Sequence, residues 1–187
     1  MKRPPAIVAG AVLAGAAALA GCGSTAQRSV SSSATPPVRL VASLRLRSPG
    51  FTPRGAIPRE YTCGGRDVSP PLRFSGVPTG TRELVLVMRD PDAPGGDFVH
   101  WAVAGIPPSA GGFGVGSVPA GSVQGRNSFG TIGYRGPCPP SGARPHEYVL
   151  TLSALRGRSE LGRGFTADQL RTAAVALATL VGTYARG

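Results

Sequence analysis

Stretches rich in glycine and proline separate the apolar segments of this chain, and they restrict its fold more than any other feature. Three of them cover residues 49–58, 107–125 and 133–145. Proline lacks an amide donor and glycine weakens regular elements, so these stretches are predicted to be loops. The apolar segments between them do not alternate with helices of crossover length, which disfavours a parallel βαβ fold. The sequence therefore predicts antiparallel β layers.

Two central strands are predicted from the pattern of apolar residues. Residues 84–88 form a continuous apolar run, which is typical of a strand covered on both faces. Residues 98–106 alternate with period two. This alternation places on one face the side chains of Phe98, His100, Ala102 and Ala104. The opposite face of the same strand then carries Trp101.

A third strand is predicted over residues 146–155, again by alternation. Residues two apart in a strand share a face, so His146 and Tyr148 are predicted to point the same way. Residues 40–46 are predicted, on a weaker pattern, to form an early strand.

The C-terminal region carries a helical pattern. Residues 166–169 have the spacing of a capping box. Apolar residues then follow at helical intervals, namely Leu170, Ala173, Ala174, Leu177 and Val181. The sequence predicts one amphipathic helix that closes the chain.

The N-terminus has the features of an export leader. Lys2 and Arg3 precede a short apolar stretch, which is too short and too rich in alanine and glycine for a good spanning helix. Residues 19–22, Leu-Ala-Gly-Cys, resemble the lipobox of bacterial lipoproteins, in which the cysteine is diacylated and the chain is cut just before it. We therefore predict lipidation at Cys22. An ordinary secretory signal with an incidental cysteine is the alternative.

The predicted lipidation at Cys22 divides the chain into three regions: a lipoprotein signal peptide over 1–21, a flexible tether over 22–40 and one domain over 41–187. The tether consists mainly of serine, alanine, threonine, glycine and proline, and it lacks the apolar surface that ordered structure requires. The expected location is the extracytoplasmic face of the cell membrane.

The net charge does not indicate a nucleic-acid partner. The chain has 20 Lys+Arg against 9 Asp+Glu, which gives +11, and Lys2 is its only lysine. The arginines are scattered along the sequence, whereas a nucleic-acid surface concentrates cations on one helix or strand face.

Two cysteines remain after Cys22. Cys63 and Cys138 form an even pair in an exported, oxidising setting, so a disulfide between them is predicted. The alternative is that Cys138 is a reactive thiol near the histidines.

The residues suited to chemistry lie beside rigid loops. The chain has 2 histidines, His100 and His146, each in or at the start of a predicted strand. Asp90 and Asp92 lie in an Asp-Pro-Asp-Ala-Pro loop, where proline fixes the backbone. Fixed carboxylates and imidazoles around a concave surface suit a small polar ligand. The alternatives are structural: Asp90 as a turn starter, Asp92 as a cap, and His100 as a core residue.

These motifs together resemble one protein family. Residues 90–94, the pair His100-Trp101, residues 133–140 and the triplet His146-Glu-Tyr148 resemble the phosphatidylethanolamine-binding protein family, in its bacterial Raf-kinase-inhibitor-like branch. Supporting matches lie at residues 61–63, 69–72 and 182–184, so the resemblance covers about residues 44–186.

The resemblance implies a mainly β fold, in which a large antiparallel sheet packs on a smaller one with a C-terminal helix. It also implies an anion pocket formed by Asp90, Asp92, His100, Gly136, Cys138, Pro139, His146 and Tyr148. Cys138 stands where some members have a glycine, which restricts the backbone there. Eukaryotic members cover the pocket with the C-terminal helix, and Tyr184 is the candidate for that position here.

The family implies a binding module rather than an enzyme. The expected ligand is a small anion or a phospholipid headgroup such as phosphoethanolamine, without a cofactor or metal, and the expected activity includes regulation or inhibition of a protein partner. A hydrolase is the first alternative, but no Gly-x-Ser-x-Gly motif is present and Ser141 lies on a loop. A metal site of two histidines and two aspartates is the second, although the spacing matches no helical zinc motif.

Overall fold

Two antiparallel sheets form the fold, which confirms the predicted mainly β class. The computed structural model describes residues 43–170 and 173–187. In chain order the strands are β1 (Arg45–Arg47), β2 (Leu72–Ser75), β3 (Glu83–Asp90), β4 (Phe98–Ile106), β5 (Gly112–Phe113), β6 (Val123–Gln124), β7 (His146–Leu155) and β8 (Ala174–Tyr184). The smaller sheet has the order β1-β2-β5 and the larger has β6-β4-β3-β7-β8. Two 3-10 helices span Arg59–Tyr61 and Ala167–Gln169.

The main core lies between the two sheets. The smaller sheet contributes Leu46, Phe74 and Phe113 to the same buried cluster as Leu86 and Met88 of β3. A second cluster, which includes Val85 and Phe165, covers the other face of the larger sheet. Strand β3 is therefore covered on both faces, as its continuous apolar run predicted.

The alternation of β4 is broken at the position of His100. Met88 pairs with Trp101 and the next residue, Arg89, pairs with Val99, so β4 contains one extra residue there. The His100 ring lies 5.2 Å from the ring of Tyr148, on the side of the main core. The prediction that His100 shares a face with Ala102 is wrong, because this β-bulge turns its side chain to the opposite face.

The predicted C-terminal helix is wrong. Among the described residues of this C-terminal region, only Ala167–Gln169 are helical, and the capping box at Thr166 and Gln169 is present there. The apolar residues that follow belong to β8, which pairs with β7 from His146↔Tyr184 to Leu155↔Ala174. Burial at Ala178, Leu180 and Gly182 alternates with period two. β-branched residues favour a strand here, and pairing gives β7 a neighbour along its second edge.

Two smaller predictions also change. The loop predicted over 107–125 contains the short strands β5 and β6. The described part of the early strand is β1, which ends at Arg47 rather than at Leu46, and residues 40–42 of the predicted strand lie outside the described part. The predicted signal peptide 1–21, the tether 22–40 and Cys22 also lie outside it. Within residues 43–170 and 173–187, no helix has the length and apolarity to cross a membrane.

Candidate functional site

A cavity of about 400 Å³ opens at one end of the larger sheet. The end of β3, the start of β4 and the start of β7 meet there, because Asp90 pairs with Phe98 and Arg89 pairs with Val149. The cavity is lined by Asp90, Ala93, Pro94, Gly95, Phe98, His100, Phe129, Cys138, Pro139, Pro140, His146 and Arg186. Its walls are mostly apolar, and its polar groups are few.

A buried ion-pairing contact between Asp90 and His146 forms one part of the cavity wall. His146 Nδ1 lies 2.8 Å from Asp90 Oδ2, and both residues are at most 5% exposed. The other carboxylate oxygen, Oδ1, accepts a hydrogen bond from the Asp92 amide at 2.8 Å. The carboxylate accepts from Nδ1–H, so Nε2 is the His146 nitrogen left for a ligand.

His100 forms the second imidazole of the cavity. Its Nδ1 lies 2.8 Å from the Arg135 carbonyl oxygen, which only accepts hydrogen bonds, so Nδ1 carries the proton. Burial lowers the pKa of His100 below its ordinary value, and the hydrogen bond to the carbonyl opposes this effect. The rings of Phe98 and Phe129 lie 5.3 and 5.4 Å from the imidazole. The ring is therefore held in an aromatic setting that disfavours its charged form.

The loop that carries Cys138 is fixed to a distant segment. A disulfide joins Cys63 to Cys138 with a Cα–Cα distance of 5.4 Å, which is the predicted pairing. The Cys63 amide also donates to the Pro137 carbonyl at 3.1 Å. The Gly136 amide donates to Asp67 Oδ1 at 2.7 Å, and a Cβ at Gly136 would lie 2.3 Å from the Tyr61 carbonyl oxygen. Only glycine fits this close approach.

Tyr148 lies behind the histidines rather than at the surface of the cavity. It is fully buried, and burial is the main reason that its pKa is raised, with the negative charge of Asp90 adding to the effect. Its hydroxyl lies near the Asp90 carboxyl and the Cys138 backbone but forms no well-aligned hydrogen bond with any described residue. The phenol therefore stays protonated, and its O–H group donates no well-aligned hydrogen bond within the described residues.

Asp92 holds two loops together. Its Oδ2 accepts from the Glu147 amide at 2.8 Å, and its Oδ1 contacts the Arg144 guanidinium. The backbone hydrogen bond from Glu147 and the contact with Arg144 lower the pKa of Asp92. Both oxygens thus have protein partners.

The structure divides the eight predicted ligand-binding residues into two groups. Those that line the cavity are Asp90, His100, Cys138, Pro139 and His146. Asp92, Gly136 and Tyr148 support the wall from outside the lining. Ligand binding by these residues stays a prediction.

Seven lining residues are absent from the predicted set, and those with the largest side chains are Arg186, Phe98 and Phe129. Arg186 reaches the cavity because β8 ends opposite the start of β7, and its Nη1 lies 3.9 Å from Cys138 Sγ. The predicted C-terminal helix placed no strand end beside His146, so the sequence did not indicate this position for Arg186. Phe129 is held by a loop in which its amide donates to Asn127 Oδ1 at 3.1 Å. The aromatic character of Phe98 beside a histidine was the available signal for that residue.

The structure gives no support to the residues considered for the hydrolase and metal-site alternatives. Ser141 is exposed and does not line the cavity. Among residues 43–170 and 173–187, no group of three or more histidine, cysteine, aspartate or glutamate side chains is arranged to hold a metal ion.

The fold and site define a mainly β domain with a ligand-sized cavity at the strand ends. The sequence profile of the phosphatidylethanolamine-binding protein family matches residues 47–185, and the chain belongs to this family.

Relatives span both the domain and the N-terminal region. The Mycobacterium tuberculosis protein LppC, named as a candidate lipoprotein, is 39% identical over 198 residues, which covers 98% of this chain and 97% of LppC. The crystal structure of CT736 from Chlamydia trachomatis, titled as a candidate phosphatidylethanolamine-binding protein homologue, has a TM-score of 0.73 and 35% identity and covers 78% of this chain and 99% of that one. The Escherichia coli YbcL structure, titled a new member of the mammalian family, has a TM-score of 0.72 and 29% identity over 78% of this chain and 100% of that one.

Proposed function

We propose that the protein is a lipid-anchored, extracytoplasmic binding protein whose cavity takes a small anionic or phosphoethanolamine-like ligand. The observation that carries the proposal is the pair of imidazoles in one cavity, each with Nδ1 already bonded to a protein acceptor. This arrangement fixes both rings and leaves Nε2 of His146 for the ligand.

The protonation state of the rings decides what they bind. A neutral ring with a proton on Nδ1 offers Nε2 as an acceptor, which suits a protonated phosphate hydroxyl or an ammonium group. A protonated ring offers Nε2–H as a donor to an anionic oxygen. The guanidinium of Arg186 at the cavity lining adds a second, always charged donor for that oxygen.

Ligand binding is tested by calorimetry on the full chain in a non-ionic detergent, with inorganic phosphate and phosphoethanolamine as probes. Affinity is expected to rise as the pH falls from about 8 to about 5.5, because a bound anion favours the imidazolium form. The variant His146→Ala is expected to weaken binding by about 1.5–3 kcal/mol, the cost of losing a hydrogen bond to a charged group.

Arg158→Ala provides the control, because Arg158 is exposed and does not line the cavity. Equal binding by wild type and His146→Ala, or no binding of either probe by wild type, would contradict the proposed ligand.

Membrane attachment through Cys22 is the second part of the proposal. The lipobox-like residues 19–22 support it, as does the similarity to LppC along nearly the whole chain. Cys22→Ala is expected to prevent acylation and cleavage at that position. Fractionation in which Cys22→Ala stays in the membrane at the wild-type level, with its leader processed normally, would refute the anchor.

Regulation or inhibition of a protein partner is the third part. Membership of the family supports it. A partner that uses the cavity is expected to compete with phosphoethanolamine, and a pull-down from membranes with and without that compound tests this expectation. A captured protein whose recovery is unaffected by the compound and by His146→Ala would contradict a cavity-dependent partner.

A further inference from the structure

We infer that the solvent face of the smaller sheet is a docking surface for anionic membrane lipids. Strands β1 and β2 pair in antiparallel register, with Arg45 opposite Ser75 and Arg47 opposite Arg73. Along both strands exposed residues alternate with buried ones, so these side chains share the outer face. We call Arg45, Arg47 and Arg73 the arginine face.

The arginine face is concave. A cleft of about 370 Å³ is lined by Arg45, Arg47, Arg73, Phe74, Ser75 and Gly111, with no carboxylate among them. It is distinct from the cavity of the larger sheet, with which it shares no lining residue. Three guanidinium groups around one concave surface match the geometry and charge of phosphate oxygens.

The charges of the arginine face are not neutralised within the described residues. None of the ion pairs among the described residues involves the arginine face. The arginines that do form ion pairs are Arg54, Arg66, Arg89, Arg135 and Arg144. Arg73 is held in place by hydrogen bonds from its Nη1 to the carbonyl oxygens of Leu72 and Phe113, at 3.1 and 3.2 Å. These acceptors carry no net charge, so the positive charge of Arg73 remains available to an external anion.

The position of this surface in the chain points to a membrane as its partner. Strand β1 begins at Arg45, five residues after residue 40, where the predicted tether from Cys22 ends. A flexible segment of that length has an average reach of roughly 25 Å, so the point at which the predicted tether joins the domain stays near the bilayer. Arginines close to an anionic leaflet gain about 1 kcal/mol each. This step rests on the proposed anchoring, whereas the test below does not require the anchor.

Vesicle binding tests the inference with the chain that remains after the predicted cleavage, residues 22–187, carrying Cys22→Ser so that it cannot be acylated. The probes are vesicles of phosphatidylcholine alone and of phosphatidylcholine mixed with phosphatidylglycerol. Binding is expected only to the mixed vesicles and is expected to weaken as salt is added. The double variant Arg45→Gln/Arg47→Gln is expected to lower the partition coefficient by roughly 25-fold, at about 1 kcal/mol per arginine.

The matched control is Arg156→Gln/Arg158→Gln, which removes the same charge from two exposed arginines outside the cleft. It is expected to change the partition coefficient much less. An equal loss in both double variants would show attraction by net charge alone and overturn the docking surface. Circular dichroism confirms that each variant is folded.

A third set of vesicles, containing phosphatidylethanolamine in place of phosphatidylglycerol, separates the two sites. Vesicle binding would be assigned to the cavity by three results together. Binding would depend on phosphatidylethanolamine, His146→Ala would abolish it, and Arg45→Gln/Arg47→Gln would leave it unchanged. That result would overturn the arginine face while leaving the proposed function intact. Binding to phosphatidylglycerol vesicles that His146→Ala leaves unchanged is the expected result.

Discussion

The two basic regions of the molecule use their arginines differently. In the loops around the cavity, guanidinium groups are paired with carboxylates, as Arg144 is with Asp92 and Arg135 with Asp67, whereas Arg186 at the lining has no ion pair within the described residues. On the arginine face, no such pair forms within the described residues. Paired arginines fix the loops that shape a site, whereas unpaired ones keep their charge for something outside the chain.

The same contrast holds for the backbone. The cavity wall is tied down by a disulfide and by side chains that bond distant amides, as Asp67 does with Gly136. The arginine face is made by two short strands of regular register. Changes near the cavity should therefore disturb folding and ligand binding together, and changes on the arginine face should leave folding intact.

The largest effect is expected from the disulfide. Replacing both cysteines, Cys63→Ala with Cys138→Ala, is expected to lower the free energy of unfolding by about 4 kcal/mol, because the bridge closes a long loop in the unfolded chain. Guanidinium denaturation measures the loss. Reduced wild type is the control and should unfold at about the same denaturant concentration as the double variant. If the double variant and oxidised wild type had equal midpoints, the disulfide would not stabilise the cavity region and the prediction would be contradicted.

The next largest effect is expected at Gly136. A Cβ there would lie 2.3 Å from the Tyr61 carbonyl oxygen and 2.8 Å from Thr62 Cα, so Gly136→Ala forces the backbone apart. The expected loss of stability is about 1–3 kcal/mol, as for other overpacked sites. Gly157→Ala is the control, since within the described residues no atom beyond its two chain neighbours lies within 4 Å of its Cβ position. Equal urea midpoints for the two variants would contradict the close packing of this loop.

Local patterns in the sequence were sufficient for the central strands. Strands β4 and β7 have the predicted bounds, because each is a run of nine or ten mostly apolar residues that begins or ends at a glycine- or proline-rich segment. The predicted helix failed because the apolar residues between 174 and 184 fit both periods. The choice between them depends on pairing with β7, which is a long-range contact.

The candidate site was predictable in its residue types but not in its assembly. The β-bulge that turns His100 toward Tyr148 depends on how β3 and β4 pair, and no local pattern marks it. Arg186 enters the cavity through the β7–β8 register, and Phe129 through a turn held by Asn127. Such positions follow from tertiary structure rather than from spacing.

A smaller effect is expected from the burial of His100. Burial lowers the pKa of His100, so in the histidine range the unfolded chain binds more protons than the folded one. Stability is then greatest above the unfolded pKa of about 6.5 and falls as the pH drops below it, by at most about 1.4 kcal/mol per pH unit. His100→Gln is expected to flatten this dependence in urea unfolding. A variant profile as steep as that of wild type would contradict it.

The smallest effect compares one arginine from each region. Arg144→Gln removes the partner of Asp92, and Arg45→Gln removes an arginine without an ion pair in the described part of the chain. The first is expected to lower the urea midpoint slightly, and the second to leave it unchanged or raise it by relieving repulsion from its neighbours.

The pH dependence sharpens this comparison. The contacts of Asp92 lower its pKa, so their stabilising contribution is present above the unfolded aspartate pKa of about 3.9 and is lost as the pH falls through the folded value. The midpoint difference between wild type and Arg144→Gln should therefore shrink as the pH falls below the unfolded aspartate pKa, while Arg45→Gln shows no such change. If Arg45→Gln instead destabilises the fold as much as Arg144→Gln does, the arginine face has a structural role and is not free to bind an external anion.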